Sequence, residues 1–469
     1  MGILRPQILT SEKVLTSFVS PAGDRTAAMI GSATWGAINT STIISNMSEF
    51  ISYFGEDKTG TDVTGIKGAD LFFRNGGTLK FVRITDGDES KADYMAKVGS
   101  TNAINFEGLY NGTYGNNIAI TVSANATTST NRDIEITDGN ILEIFNNNGA
   151  GFSKNSDIVS AISDNSRLVD VTIQTGQENT ILDVITKTYL TGGDDGEDNL
   201  STTDYTDVFD NVLYSESFNF LLIPGVTDNA LQATIVGKLN TRASSEKKYS
   251  RYLTGIAKDE TISTAVARTS TGKRITVCAP NVKYTHRIDN TKDIYDGSYL
   301  ACAHAGNLCQ LGTQNSATHK PINVEGLSVL ESSGKEYYTK AEQEQLLQGR
   351  ILPFALIGSS IQAVRGVTRE TSTTSVFFDE VVVDIVDYVR AEVEAYCDTT
   401  IGLPNTDNRR TIWSGRIDAI TANAQKQEII QEFQPSVLVE GASPDTYNAT
   451  VSIKPAYAVN FVQLTININ

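Results

Sequence analysis

Apolar residues run together in TAAMIGSATWG (26–36) and stop at a glycine, the pattern of a buried strand ending in a turn. Asn46, followed three residues later by Glu49, has the spacing of a capping box. It opens SEFISYF as a helix that should stop at Gly55. ADLFFRNGG predicts a second short helix closed by Gly76-Gly77. TLKFVRIT then alternates, with Leu79, Phe81 and Arg83 on one face. Residues 26–86 therefore predict a compact β-α-α-β piece. Residues 3–20 mix Ile, Leu, Val and Phe with polar residues around Pro6 and read as an extended arm.

After Glu107 the texture changes. IAITV, DIEIT and LEIF predict short strands among Gly-, Asn- and Thr-rich turns, and SDIVSAIS predicts one helix. The stretch ends at YLTGGDDGEDN, a Gly/Asp cluster that reads as a solvated linker. From 201 to 330 apolar runs alternate with helical patterns. FNFLLIPGV, RYLTGIA and RITVCAP are strands; TDYTDVFDNVL, DNALQATIVGKLNTRA and DGSYLACAHAGNLCQL are helices. That alternation predicts a parallel or mixed α/β sheet. Thr339 and Glu342 cap AEQEQLLQ. ILPFALI, IQAVRGVT and SVFFDEVVV look strand-like, 384–397 and 417–433 are predicted helices, and the chain closes in SVLVEGA, TYNATVSIKP and YAVNFVQLTININ. The last run sets Val462, Leu464, Ile466 and Ile468 against polar neighbours. A strand there can pair at home or add to the sheet edge of another subunit.

The expected organisation is an arm at 1–25, an α/β part at 26–107, a β-rich insertion at 108–200, a central α/β domain at 201–334, a C-terminal domain at 335–455 and a strand arm at 456–469. The fold class is mixed, α+β with α/β portions, over several domains. A length of 469 residues agrees with about three domains.

Charge changes the picture by exclusion. There are 38 Lys and Arg against 55 Asp and Glu, a formal net charge of −17. Such a chain is repelled by nucleic acid and by anionic membranes. Hydrophobic residues make up 40%, enough for real cores, while charged residues make up only 20%, so much of the surface must be Ser, Thr, Asn and Gly. Four cysteines, none in a C-x-x-C pair, make no disulfide framework. MGILRPQILTSEK lacks the apolar core of a secretory signal, and no run reaches the ~18 apolar residues of a membrane span.

Candidate chemistry is thin. Cys302, His304 and Cys309, with His319 beyond, form the best metal-like cluster, but the first three lie on one small-residue helix and read as buried packing. A Ser-His-Asp triad would have to use His286, His304 or His319, and no G-x-S-x-G elbow is present. STGKR (270–274) fails as a phosphate loop, having Ala267 and Arg274 where Gly and Ser/Thr are required. Asp194, Asp195, Glu197 and Asp198 lack calcium-loop spacing. No cofactor or metal is expected, and a long acidic chain without these motifs reads as an assembly component.

Five segments in order carry a resemblance: AAMIGSATWGAINTSTIISNMSEFISYFG (27–55), GADLFFRNGGTLKFVRI (68–84), EGLYNGTYGNNIAITV (107–122), LTGGDDG (190–196) and LLIPGVTD (221–228). Together with the C-terminal helices and strands they resemble the contractile tail sheath proteins of bacteriophages and tailocin-type injection systems. Residues 240–330 are only generically similar. The resemblance implies a non-enzymatic subunit that stacks in rings, usually sixfold, around an inner tube and contracts to drive that tube through a cell envelope.

It implies partners as well: further copies of the chain, a tail tube protein, and baseplate and tail terminator proteins, with no direct nucleic acid and no membrane insertion. The location implied is a virion tail assembled in the host cytoplasm. Terminal arms would exchange strands between subunits, here through Ile8, Leu9 and Val14 at one end and Phe461, Val462, Leu464, Ile466 and Ile468 at the other. Arg416 and Lys426 are the expected tube contacts. The alternatives are a hydrolase using one of the three histidines in the central domain, or a β-rich surface adhesin built on 108–200.

Overall fold

The computed structural model describes residues 25–56 and 63–460. The chain begins with β1 (Thr26–Gly31), β2 (Ser41–Ile44), α1 (Met47–Phe54), α2 (Thr64–Phe73) and β3 (Thr78–Arg83). The α1 cap forms as its spacing predicts. Asn46 Oδ1 accepts from the Glu49 N–H at 2.9 Å, and Glu49 reaches back to the Ser45 N–H at 2.8 Å. The four-residue β2, STII, gives no readable periodicity, and it forms because it pairs antiparallel along β3.

The chain then leaves for a separate unit: β4 (Asp93–Val98), β5 (Thr101–Gly108), β6 (Ala119–Ala124), β7 (Arg132–Thr137), β8 (Leu142–Phe145), α3 (Asn155–Ser163), β9 (Val169–Ile173) and β10 (Ile185–Tyr189). Two antiparallel sheets, ordered β4-β5-β9 and β10-β6-β7-β8, enclose their own core of Ile104, Phe106, Ile120, Ile134 and Leu182. The composition shift after Glu107 falls inside this unit, at the end of β5. Its neck is a pair of antiparallel crossings. Ser90 and Asp194 exchange backbone hydrogen bonds of 3.2 and 3.0 Å, and Asp93 and Thr191 exchange bonds of 2.9 and 3.1 Å.

On its return the chain builds α4 (Thr202–Val208), β11 (Phe220–Leu222), α5 (Asn229–Ser245), β12 (Arg251–Gly255), α6 (Ile262–Val266), β13 (Ile275–Ala279), β14 (Asn281–Thr285), β15 (Lys292–Tyr295), α7 (Gly297–Gln310), β16 (Gly326–Ser328), α8 (Lys340–Gln348), β17 (Leu352–Ile357) and β18 (Ser360–Ala363). One eight-stranded sheet runs β18-β17-β13-β12-β11-β1-β3-β2. Its six inner strands are parallel; β18 and β2 close it antiparallel. The segments read apart as 26–107, 201–334 and 335–455 all contribute strands to it.

Successive side chains of β1 serve opposite layers. Ala27 and Met29 pack with α1, α2 and α7, whereas Ala28 and Ile30 pack with α4, α5, α6 and α8. Burial on both faces is why FLL and ITVCA read as unbroken apolar runs. The small-residue helix α7 fits closely: a Cβ on Gly297 would stand 2.5 Å from the Cys278 carbonyl.

Residues 379–460 form a C-terminal module of α9 (Glu380–Asp398), α10 (Asp407–Lys426), β19 (Ile430–Glu440) and β20 (Tyr447–Pro455). Its core of Val381, Ile385, Val389, Ala424, Ile429 and Ile430 is its own. Two sequence expectations fail here. SVFFDEVVV is not a strand: its second half is the first turn of α9. Val381, Val382 and Val383 are all buried, which erases the helical period. The helix expected at 417–433 instead occupies 407–426. Glu428 takes a left-handed φ of 60°, ending it, and Ile430 starts β19.

Candidate functional site

The hairpin β19–β20 is long and bare. It spans 11 and 9 residues and, among the described residues, neither outer edge pairs with a further strand. Two strands alone are marginally stable in water. Long edges normally carry lysines, prolines or a cover; β19 has Pro435 at its bulge and β20 ends in Lys454-Pro455, but Asn448–Ile453 of β20 holds no charge. One face packs on the module core through Phe433 and Ile453. The other exposes Val437 and Val439 at 55% and 51%.

A bulge between Gln434 and Val437 is pinned to α10. The Ser436 N–H donates to Asp418 Oδ1 at 2.7 Å, and Ser414 Oγ donates to the Ser436 carbonyl at 2.6 Å. Trp413 fixes the far end, its ring 5.1 Å from that of Tyr447.

The opposite face of α10 is exposed at Ile412, Gly415, Arg416, Ala419, Ala422 and Lys426. No described residue forms an ion pair with Arg416 or Lys426. The sequence-predicted arm residues Ile8, Leu9, Val14, Phe461, Val462, Leu464, Ile466 and Ile468 lie outside the described residues.

The module joins the rest of the molecule through buried charge. Arg251 Nε and Nη2 donate to Asp384 at 2.8 and 3.0 Å, and Nη1 to Glu380 at 3.2 Å. Arg25 adds a 3.3 Å contact to Asp384, and Arg274 grips Asp387 at 2.8 and 3.1 Å. Burial pushes the Glu380 carboxyl up, but His304, 3.3 Å away, and Arg251 overcome it and hold the group at about 2. This network was missed in the sequence. Its only trace was the i, i+4, i+7 spacing of Glu380, Asp384 and Asp387, which resembles any solvated helix face.

The candidate catalytic groups are scattered. His286 meets Asp293 at 2.8 Å and Tyr295 at 2.9 Å on a surface hairpin. His304 is buried in the charge network, and His319 occupies a left-handed position whose N–H donates to Ala363 at 2.8 Å. Cys302 and Cys309 are buried on α7, their thiols pushed up by that burial. No group of three or more His, Cys, Asp or Glu among the described residues is placed to hold a metal.

The 190–196 cluster, read as a solvated linker, is only partly exposed. It forms one side of the neck through isolated bridges, with Thr191, Gly192 and Asp194 exposed, while buried Asp195 accepts from the Thr113 N–H and Oγ at 2.7 Å each. Arg83 sits against it, donating to the Gly36, Asn111 and Asp195 carbonyls.

Open α/β sheets hold ligands at the carboxyl ends of the strands where the strand order reverses, here between β1 and β11. That place is filled. The Thr64 N–H donates to Ser32 Oγ at 2.9 Å, and the Gly225 N–H to Ser298 Oγ at 2.8 Å. No described helix is long and apolar enough to cross a membrane.

No family model matches the chain, and no curated protein matches its sequence. Solved structures do match its fold. The sheath tail protein of Desulfitobacterium hafniense superposes with a TM-score of 0.73 at 15% identity, over 98% of this chain and 97% of that one. The sheath tail protein of Listeria innocua gives 0.66 at 16% identity, over 93% and 92%. The contracted helical sheath of the anti-feeding prophage gives 0.54 at 10% identity, over the whole of both chains. The architecture is therefore that of contractile tail sheath proteins, matched along nearly the full length.

Proposed function

We propose that this chain is a structural, non-enzymatic sheath subunit. It polymerises in stacked rings, usually sixfold, around a tail tube and contracts to drive that tube through a target envelope. The observation that carries the reading, beyond the shared fold, is a long hairpin whose outer edges pair with no other described strand, the β20 edge being uncharged from Asn448 to Ile453. Each edge suits one added strand, and the two chain termini are the natural donors: 1–24 through Ile8, Leu9 and Val14, and 461–469 through Phe461, Val462, Leu464, Ile466 and Ile468. Strand addition gives main-chain bonds that travel with their sheets when subunits rotate. The exposed α10 face, with Arg416 and Lys426, is assigned to the tube.

The β-rich unit on its neck is assigned to the particle exterior. Baseplate and tail terminator proteins would meet the two ends of the polymer, in a particle tail assembled in the host cytoplasm. Energy stored in the extended lattice would drive contraction without a cofactor.

The test is negative-stain electron microscopy of the purified chain over a concentration series, beside a variant lacking 457–469. Tubes or stacked rings from the full chain alone support both the sheath and the exchanged strand. Tubes from both discard the C-terminal exchange. Discrete monomers in both, even with a tail tube protein added, overturn the sheath reading.

A further inference from the structure

Apart from Glu392, which lies off the row, the acids of α9 are at 380, 384, 387, 394 and 398, on one face of the helix. Each meets the body of the molecule. Glu380 and Asp384 share Arg251, Asp384 also takes Arg25, and Asp387 takes Arg274. Glu394 accepts from the Tyr249 hydroxyl, and Asp398 pairs with Lys247. The three arginines mark the amino ends of parallel strands: Arg25 precedes β1, Arg251 opens β12 and Arg274 precedes β13. Arg251 and Arg274 stand on adjacent strands about 4.8 Å apart, close to the rise of about 5.4 Å per helical turn, and meet Asp384 and Asp387 one turn apart; Arg25 lies two strands from Arg251, across β11, and reaches the same Asp384.

Arg25, Arg251 and Arg274 are at most 7% exposed, and Glu380 is 1% exposed. The module's apolar core is separate from the layers of the body. Buried ion pairs add little net stability over apolar packing, but they are strict about register, because a slip strands desolvated charges.

We propose that the acidic row of α9 and the arginine row form a register lock that sets the angle between the α/β/α body and the C-terminal module. Arg251 and Asp384 are its central positioning residues. Its purpose rests on the sheath reading, in which every subunit must present its hairpin at one angle for the lattice to close. The lock itself does not rest on it.

The experiment uses the full chain with Cys397→Ser and spin labels on Thr241→Cys of α5 and Asn423→Cys of α10, both exposed. Pulsed electron resonance then reads the distance between body and module. The native charges should give one narrow distance. The fourfold variant Arg25→Met, Arg251→Met, Glu380→Leu and Asp384→Leu keeps the charge balance. It should keep its melting temperature while the narrow distance broadens or moves. An unchanged distribution overturns the lock and assigns the angle to packing alone.

Should the fourfold variant fail to fold, Asp384→Asn takes its place, with the same two outcomes. Absence of tubes from the unsubstituted chain would count against the sheath reading and leave the distance result standing.

Discussion

Replacing Glu380 by Gln removes one charge from the joint while keeping the side chain's shape. In the folded chain His304 and Arg251 outweigh burial and hold this carboxyl at about 2, against an ordinary value of 4.5. A carboxyl depressed on folding stabilises the fold above its unfolded value, and that stability is lost as pH falls through the folded value. At about 1.4 kcal/mol per pH unit, Glu380 contributes about 3 kcal/mol above pH 4.5, and this disappears by about pH 2. Glu380→Gln should therefore be less stable than the parent at pH 6, and the gap should narrow by about 3 kcal/mol as pH falls from 4.5 to 2.

The assay is urea unfolding at stepped pH, followed by Trp413 fluorescence in a Trp35→Phe background. Trp413 is buried in the module and stacks near Tyr447. A gap that stays constant from pH 6 to pH 2 would refute the reasoning.

Three further outcomes are expected. A Cβ at Gly366 would stand 2.3 Å from Glu380 Oε1. Gly366→Ala should thus cost about 1–3 kcal/mol, and thermal melts should show a smaller cost when Glu380 is already Ala. Arg83 is buried and serves three carbonyls at the neck. Arg83→Met should cost about 1–3 kcal/mol for each one orphaned; limited proteolysis at 86–93 and 191–199 should quicken while the Trp413 transition stays in place. Arg416→Glu with Lys426→Glu should weaken assembly templated by a tail tube protein. It should shift the melting of the free chain by no more than about 0.5 kcal/mol, because both side chains are exposed.

Local signals were legible wherever neighbours in sequence are neighbours in space. The Asn46 and Thr339 caps, the small-residue helix α7 and the alternating strands of the β-rich unit all depend on contacts a few residues apart. The apolar strands of the central sheet declared themselves because they are buried on both faces. The start of α9 misled for the same reason: three buried valines in a row show no period of either kind. The end of α10 misled because a single left-handed residue, Glu428, separates the helix from a strand with similar apolar spacing.

The candidate site divides along the same line. Periodicity and a short set of ordered motifs were enough to indicate helices, strands, an acidic chain and a sheath-like architecture. Each of these is a property of residues read in order. Only the tertiary structure showed that β3, β11 and β17, drawn from three stretches of chain, belong to one sheet. Only it joined Arg25, Arg251, Arg274 and Glu380 into one buried network. Such pairings span more than a hundred residues. An isolated arginine or glutamate looks the same in sequence whether water or another charge neutralises it, and burial alone decides between the two.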